Sequence, residues 1–406
     1  MSPSLRVYYD THLVGHLSLT VHGRMNFKYD EHWLENSFGF PISISLPFQK
    51  DIFEEEQARS FFSNLLPEGD IRRFIAQRFG CSPENDFKLL EAIGGDCAGA
   101  LSLLPEDQSI SMVEDYRSLS LDQLDRMIGD RPQRPLIAEG KDLRLSLAGA
   151  QHKLPVYREE DFLFLPYGRA ASTHILKPAV ANIPESIENE IFCMKLAAKA
   201  GLAVPVVEIM NTPNHSVFCV ARYDRKILDK RKVQKLHQED FCQALGVRPD
   251  QKYQNEGGPS LKKVFETIHQ HSSQPAKDKK RLLEWVIFNF IIGNNDAHGK
   301  NISLMLSRES VVLAPFYDLM STAVYENLSR KMAMRIGGEY DSEMVFERHW
   351  ERLSEEMGVK ENFVIKLLAE MKKKIRVGAL ALSNDFKKSN IIQRIVLHIQ
   401  KNTGAT

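Results

Sequence analysis

The stretch IIGNNDAHGKN, residues 291–301, decides how this chain is read. It closes an apolar run, 285–292, that is interrupted by Asn289. That run is far short of the ~20 residues needed to cross a bilayer, so it reads as a buried helix. A polar loop set directly on a buried helix is held rigidly. Phosphoryl transfer needs a carboxylate near the attacking hydroxyl and a group that fixes a divalent cation on the phosphates. Asp296 and Asn301, five positions apart, supply those two residue types in that order.

Protein-kinase catalytic loops use the same Asp-x4-Asn offset, with a second metal-binding Asp further on. Here strands are predicted over 302–306 and 311–313 around a turn at 307–310, and Asp318 in APFYDLM follows them. Asp-x4-Asn alone is a weak signal because both residues populate loops, and 294–296 could simply form a polar turn capping the helix. The order of loop, hairpin and Asp318 is what makes it specific. His298 and Lys300 lie between the two ligands. His298 can brace Asp296 or the metal shell, or pack as a loop histidine. Lys300 can neutralise phosphate charge or stand in solvent.

Phosphate anchoring is expected from the strand-rich half. Lys177 ends a predicted strand, THILK, and suits an ATP phosphate clamp. Glu190 on the following helix could hold it, with Glu188 as rival. The loop SLAGAQHK, 146–153, sets Ala148, Gly149, Ala150, Gln151, His152 and Lys153 between two strands. Small residues let backbone amides approach phosphates. With one glycine it matches neither GxGxxG nor GxxxxGK, and a plain hairpin turn explains it equally well.

The rest of the chain frames this. Leu5, Val7 and Tyr9, then Leu13, Leu17 and Leu19, then Met25, Phe27 and Tyr29 suggest a small antiparallel meander. Helices are predicted over 54–66, 68–79, 87–93 and 121–128, with a strand over 100–104. Strands over 143–147, 153–157, 173–177, 204–210 and 216–221 surround a helix over 186–200, which Gly201 caps. After Asp224 the sequence reads as mostly helical, interrupted only by the pair at 302–313. The reading is α+β, a protein-kinase-like bilobal fold: a β-rich unit over 1–135, a phosphate-loop unit with Lys177 over 136–225, and a helical unit with the catalytic loop over 226–402.

At 406 residues the chain is too long for one simple core. Lys and Arg balance Asp and Glu, 53 each, so no bulk charge drives it toward nucleic acid or an anionic membrane. Basic runs at 225–235, 277–281 and 372–376 read as solvated faces more readily than as binding patches. The five cysteines are scattered without CxxC spacing, which fits a reducing cytosol. The opening MSPSLRVYYD carries no apolar signal segment, so a cytoplasmic protein is expected.

These residues resemble the HipA family, the kinase toxins of bacterial HipBA toxin–antitoxin modules. The resemblance runs over about 7–400. It is carried by NLLPEGDIRRFIAQRF (64–79), IGGDCAGALSLLPED (93–107), LSLAGAQHK, THILKP, IENE followed by GLAVP, GGP (257–259), GNNDAHGKN, FYD and KMAMRIGG (331–338). It implies a serine/threonine kinase using ATP and magnesium. Its target would be an aminoacyl-tRNA synthetase, of glutamyl type in the family, so that translation stalls and persistence follows. Its partner would be a HipB-like helix-turn-helix antitoxin, with operator DNA met mainly through that complex. Asp296 matches the family's catalytic aspartate, Asn301 and Asp318 its magnesium ligands and Lys177 its phosphate contact. Ala221 and Tyr223 fall in the segment that meets adenine. Ser146 matches the serine whose autophosphorylation switches the kinase off, as added negative charge there would repel ATP phosphates. Two positions depart: His152 stands where an acidic residue is common, and Ala221 where Glu is common. A kinase-like binding module that transfers no phosphate and a small-molecule kinase are the alternative readings.

Overall fold

A computed structural model describes residues 3–108, 110, 113–130, 148–149 and 151–404. The chain forms two compact units woven from discontinuous segments. One holds Met1–Pro178, Met210–Asp250 and Leu304–Ser310, the other Ala179–Ile209, Gln251–Ser303 and Val311–Thr406.

In the first unit the expected meander forms as Ser4–Tyr9, His12–Leu19 and Met25–Tyr29, and Leu101–Pro105 adds a fourth antiparallel strand beside the first. Period-two alternation places one row of side chains inside: Leu5 faces Leu17, which faces Phe27, and all three are buried. Gly15 is required here, because a Cβ would stand 2.3 Å from the Lys28 carbonyl oxygen.

A second sheet orders Glu114–Leu119, Phe162–Gly168, Leu154–Glu159, His174–Pro178 and Ser216–Ala221 side by side. The helix Leu121–Gly129, opened by a Ser120–Gln123 capping box, packs Leu124, Met127 and Ile128 against Leu154, Val156, Leu176 and Val217. Sequence reading missed Glu114–Leu119 and Phe162–Gly168. The first carries charged residues in an edge strand, and the second runs through Pro166. The predicted strand at 143–147 lies outside the described residues.

The expectation that the chain is mostly helical after Asp224 is only partly met. Arg225–Asp229 and Lys232–Lys235 form an antiparallel hairpin, His237–Asp240 is a strand, and Lys331–Ile336 pairs with Glu339–Asp341. The run RKILDKRKVQK concealed a hairpin because its two end residues, Arg225 and Lys235, face each other and are absorbed by inward ion pairs. Lys235 meets Asp96 at 2.6 Å. Arg222 grips Asp224 bidentately at 2.9 and 2.7 Å, and Asp224 in turn accepts from the Gly99 N–H at 2.9 Å. Opposed charges this deep stay ionised only because each has partners. Beyond it, Lys230 pairs with Glu159 at 2.6 Å, an exposed contact of little weight.

The second unit is helical. Ser186–Ala200 forms as expected and Gly201 caps it at φ 97°. Glu361–Ser383 packs against Ser186–Ala200, Pro275–Ile292, Glu347–Met357 and Asn390–Thr403. Its basic stretch 372–376 is mainly on the outer side, with Ile375 turned into the core. Among the described residues no helix is long and apolar enough to cross a membrane.

One buried acid makes the first unit pH-sensitive. Glu239 accepts from the Ile44 N–H at 2.9 Å and from the Ser43 hydroxyl, and burial pushes its carboxyl up to about 8 from an ordinary 4.5. The folded state therefore holds this proton more tightly than the unfolded chain. Its contribution is complete below pH 4.5 and is lost as pH rises through about 8. Glu239→Gln is expected to gain melting temperature relative to wild type steadily across that window, as followed by thermal unfolding at a series of pH values.

Candidate active site

The site of the second unit begins with a helix that must stop. Pro275–Ile292 buries Trp285, Phe288, Ile291 and Ile292, and Gly293 ends it in the left-handed region at φ 71°. A side chain there would also meet His398 Nε2 at 2.4 Å. The Gly293 carbonyl accepts from the Thr322 and Ala323 N–H groups, both at 2.9 Å.

The loop leaves the helix through a relay of amides. Asn289 donates to the Trp285 carbonyl at 2.8 Å and accepts from Asn294 Nδ2 at 2.7 Å. Asn294 Oδ1 then accepts from the Asp296 N–H at 3.2 Å. Asn295 is fixed across the loop: its N–H donates to Thr322 Oγ1 and its carbonyl accepts from the Ala333 N–H, both at 2.8 Å. Every residue from Ile291 to Leu304 is buried except Asp296. A buried loop that exposes one carboxylate has been shaped to present it. Tyr253 reaches that carboxylate, its hydroxyl donating to Asp296 Oδ1 at 2.7 Å.

Asn301 closes the loop. Its N–H donates to the His298 carbonyl at 2.9 Å, and its Oδ1 accepts from the His298 N–H at 3.2 Å. Strands Ser303–Leu306 and Val311–Leu313 then form, and the Ala314 N–H returns to the Ser303 carbonyl at 2.9 Å. Tyr317 anchors the returning chain, its hydroxyl donating to the Lys300 carbonyl at 2.8 Å. Asp318 follows at φ 58°, a left-handed conformation that a non-glycine residue holds only where its surroundings impose it. Asn301 Nδ2 lies 3.3 Å from Asp318 Oδ2.

Asn301 and Asp318 each carry an oxygen of the kind a hard cation such as magnesium takes, but here the Asn301 amide nitrogen faces Asp318 and its Oδ1 accepts from the His298 N–H. Magnesium takes few protein carboxylates and fills its shell with water and phosphate oxygens. Asp318, with Asn301 turned to present its Oδ1, would be the residues that hold such an ion. Lys300, for which solvent exposure was one reading, is buried at 7% exposure, as is His298. His298 meets the Tyr253 ring edge-on, centroids 5.4 Å apart, so Tyr253 links the histidine to Asp296.

The other expected residues lie in the first unit. Lys177 sits on His174–Pro178, paired with Phe218, and is only 5% exposed, with its Nζ 5.4 Å from the Phe218 ring centre. Gly149 adopts φ 107°, and its carbonyl accepts from the Glu68 N–H at 3.0 Å. Lys153 folds back on the loop, Nζ donating to the Ala148 carbonyl at 2.7 Å, and Gln151 reaches the Pro178 carbonyl at 3.4 Å. His152 is half-buried. Ala221 faces His174 at a strand end, and the Tyr223 hydroxyl donates to Gln238. Ser146 and Ala150 lie outside the described residues.

Sequence reading missed Tyr253 and the Asn289–Asn294 relay. Asn289 was visible as a polar break in an apolar helix, and Tyr253 stands just before the GGP motif; neither signal says what the side chain touches.

Comparison with known proteins gives the family. Family models match at 145–378, described as the HipA-like C-terminal domain, and at 5–104, the HipA N-terminal domain. A putative kinase, Y4mE of Sinorhizobium fredii, is 44% identical over 360 residues, covering 87% of this chain and 86% of its own. The serine/threonine-protein kinase toxin HipA of Shewanella oneidensis is 31% identical, covering 86% and 81%. A solved structure of Shewanella oneidensis HipA with HipB and operator DNA superposes with a TM-score of 0.87 at 27% identity, over 98% of this chain and 97% of that one. The chain belongs to the HipA family.

The relay yields a test of its own. Asn289→Ala leaves the buried Asn294 amide without its acceptor, so a loss of about 1–3 kcal/mol is expected in chemical denaturation.

Proposed function

We propose that this protein is an ATP- and magnesium-dependent serine/threonine kinase serving as the toxin of a toxin–antitoxin module. The observation that carries this reading is the single exposed carboxylate, Asp296, on a loop otherwise buried from Ile291 to Leu304. Asp296 takes the proton of the acceptor hydroxyl, a role its exposure and fixed backbone suit. Asn301 and Asp318 hold magnesium, which when bound neutralises phosphate charge. Lys177 is the phosphate contact, with the loop around Gly149 as cradle and the strand end at Ala221 and Tyr223 as adenine site. His298, set edge-on against the Tyr253 ring, braces Asp296.

Two relatives carry kinase names, one of them a serine/threonine-protein kinase toxin, which supports the reaction type. The HipA structure that superposes on this chain contains HipB and operator DNA, which supports a HipB-like antitoxin as partner and DNA contact through it. By the family resemblance the target is an aminoacyl-tRNA synthetase, of glutamyl type, in the cytoplasm. Ser146 is the autophosphorylation site that turns the enzyme off and limits the toxin's effect on persistence.

The test is intact-mass spectrometry with peptide mapping on the wild type and on Asp296→Asn after incubation with ATP and magnesium. Phosphate on Ser146 in the wild type is expected, with incorporation about a thousandfold slower in the variant. Equal incorporation in both would remove Asp296 as the base. None in either would favour a binding module without phosphoryl transfer.

A further inference from the structure

Asp296 is exposed, and an exposed carboxylate turns freely about its last bond unless something holds it. A strap does so. The Tyr253 carbonyl accepts from the Glu256 N–H at 3.0 Å and the Gly258 N–H at 2.9 Å, so the chain closes into a tight loop behind this tyrosine. Gly257 sits at φ 98°, and a Cβ on Gly258 would stand 2.2 Å from the Gln251 carbonyl oxygen and 2.7 Å from that of Tyr253. The loop is tied down at both ends. Gln254 Oε1 accepts from the Arg335 N–H at 2.9 Å, and the Pro259 ring lies so near Gly299 that a Cβ there would come within 2.5 Å of it. From this strap the Tyr253 hydroxyl donates to Asp296 Oδ1 at 2.7 Å, while its ring rests edge-on against His298.

We infer that Tyr253 is a positioning residue: it fixes Asp296 Oδ1 and leaves Oδ2 as the atom that receives the acceptor's proton. The inference rests on the reading of Asp296 as the base. In the step so arranged, the O–H bond of the acceptor alcohol breaks and its proton passes to Oδ2. A bond forms between the alcohol oxygen and the γ-phosphorus. The bond from that phosphorus to the β,γ-bridging oxygen breaks, and ADP leaves with the electron pair. The phenol keeps its proton throughout and contributes only orientation, which governs how often the base meets the alcohol in line.

The experiment measures self-phosphorylation of the full chain at saturating ATP and magnesium for wild type, Tyr253→Phe, Gly258→Ala and Asp296→Asn, with melting temperatures and ATP KM alongside. Tyr253→Phe is expected to slow kcat about tenfold, the loss of one hydrogen bond to a charged group, with KM for ATP and melting temperature unchanged. Gly258→Ala, which displaces the strap, is expected to reproduce the kcat loss. Full or increased kcat in Tyr253→Phe, with Asp296→Asn inactive, would overturn the positioning role while leaving the base in place. A loss confined to melting temperature or KM would make Tyr253 merely structural. Wild-type rates in Asp296→Asn would remove the base and this inference together.

Discussion

Everything at the site depends on how Pro275–Ile292 ends. Gly293 at φ 71° turns the chain out of a helix whose last two turns are almost wholly apolar, and only glycine fits between His398 and Ala323 there. From that point the loop is pinned from several sides. Asn294 holds it to its own helix, Asn295 to Thr322 and to the strand Lys331–Ile336, and Tyr317 fastens its far end. A loop held so closely has one degree of expression left, the direction of Asp296. Rigid presentation is what a general base requires, since its efficiency falls steeply with misplacement.

The first unit poses a different problem, a lysine side chain held inside a sheet. Lys177 lies in a strand flanked by Phe218 and is almost wholly buried. A buried ammonium needs negative charge or hydrogen-bond acceptors around it, and under the proposed function the ATP phosphates would add to them. The same unit shows how its own buried charges are settled, through the Asp96, Arg222, Asp224, Arg225 and Lys235 network. That network also explains a neutral protein with strongly basic runs: part of the run at 225–235 is spent inward.

The sequence carried the site's skeleton because the skeleton is local. Asp296 and Asn301 lie on one loop, and Asp318 follows one hairpin, so spacing alone ordered them. Elements with strong period or clear caps were equally legible: Ser186–Ala200 and Ser216–Ala221 formed with the expected bounds. What failed was non-local. Glu114–Leu119 is a strand only because Phe162–Gly168 pairs with it, and its own residues are too polar to announce that. The hairpin at Arg225–Lys235 is stabilised by Asp96, more than a hundred positions earlier. Tyr253 reaches Asp296 across 43 positions, a contact no spacing rule encodes.

The central claim is that Asn301 and Asp318 hold a cation on the phosphates while Asp296 faces the acceptor. A crystal structure of the protein with magnesium and a non-hydrolysable ATP analogue tests it most directly. The expected result is one magnesium within about 2.0–2.1 Å of an Asn301 oxygen and an Asp318 oxygen, bridging to phosphate. In that structure Lys177 touches the phosphates and Asp296 remains free of metal. Nucleotide bound away from this loop, or magnesium held by other residues, would contradict the account.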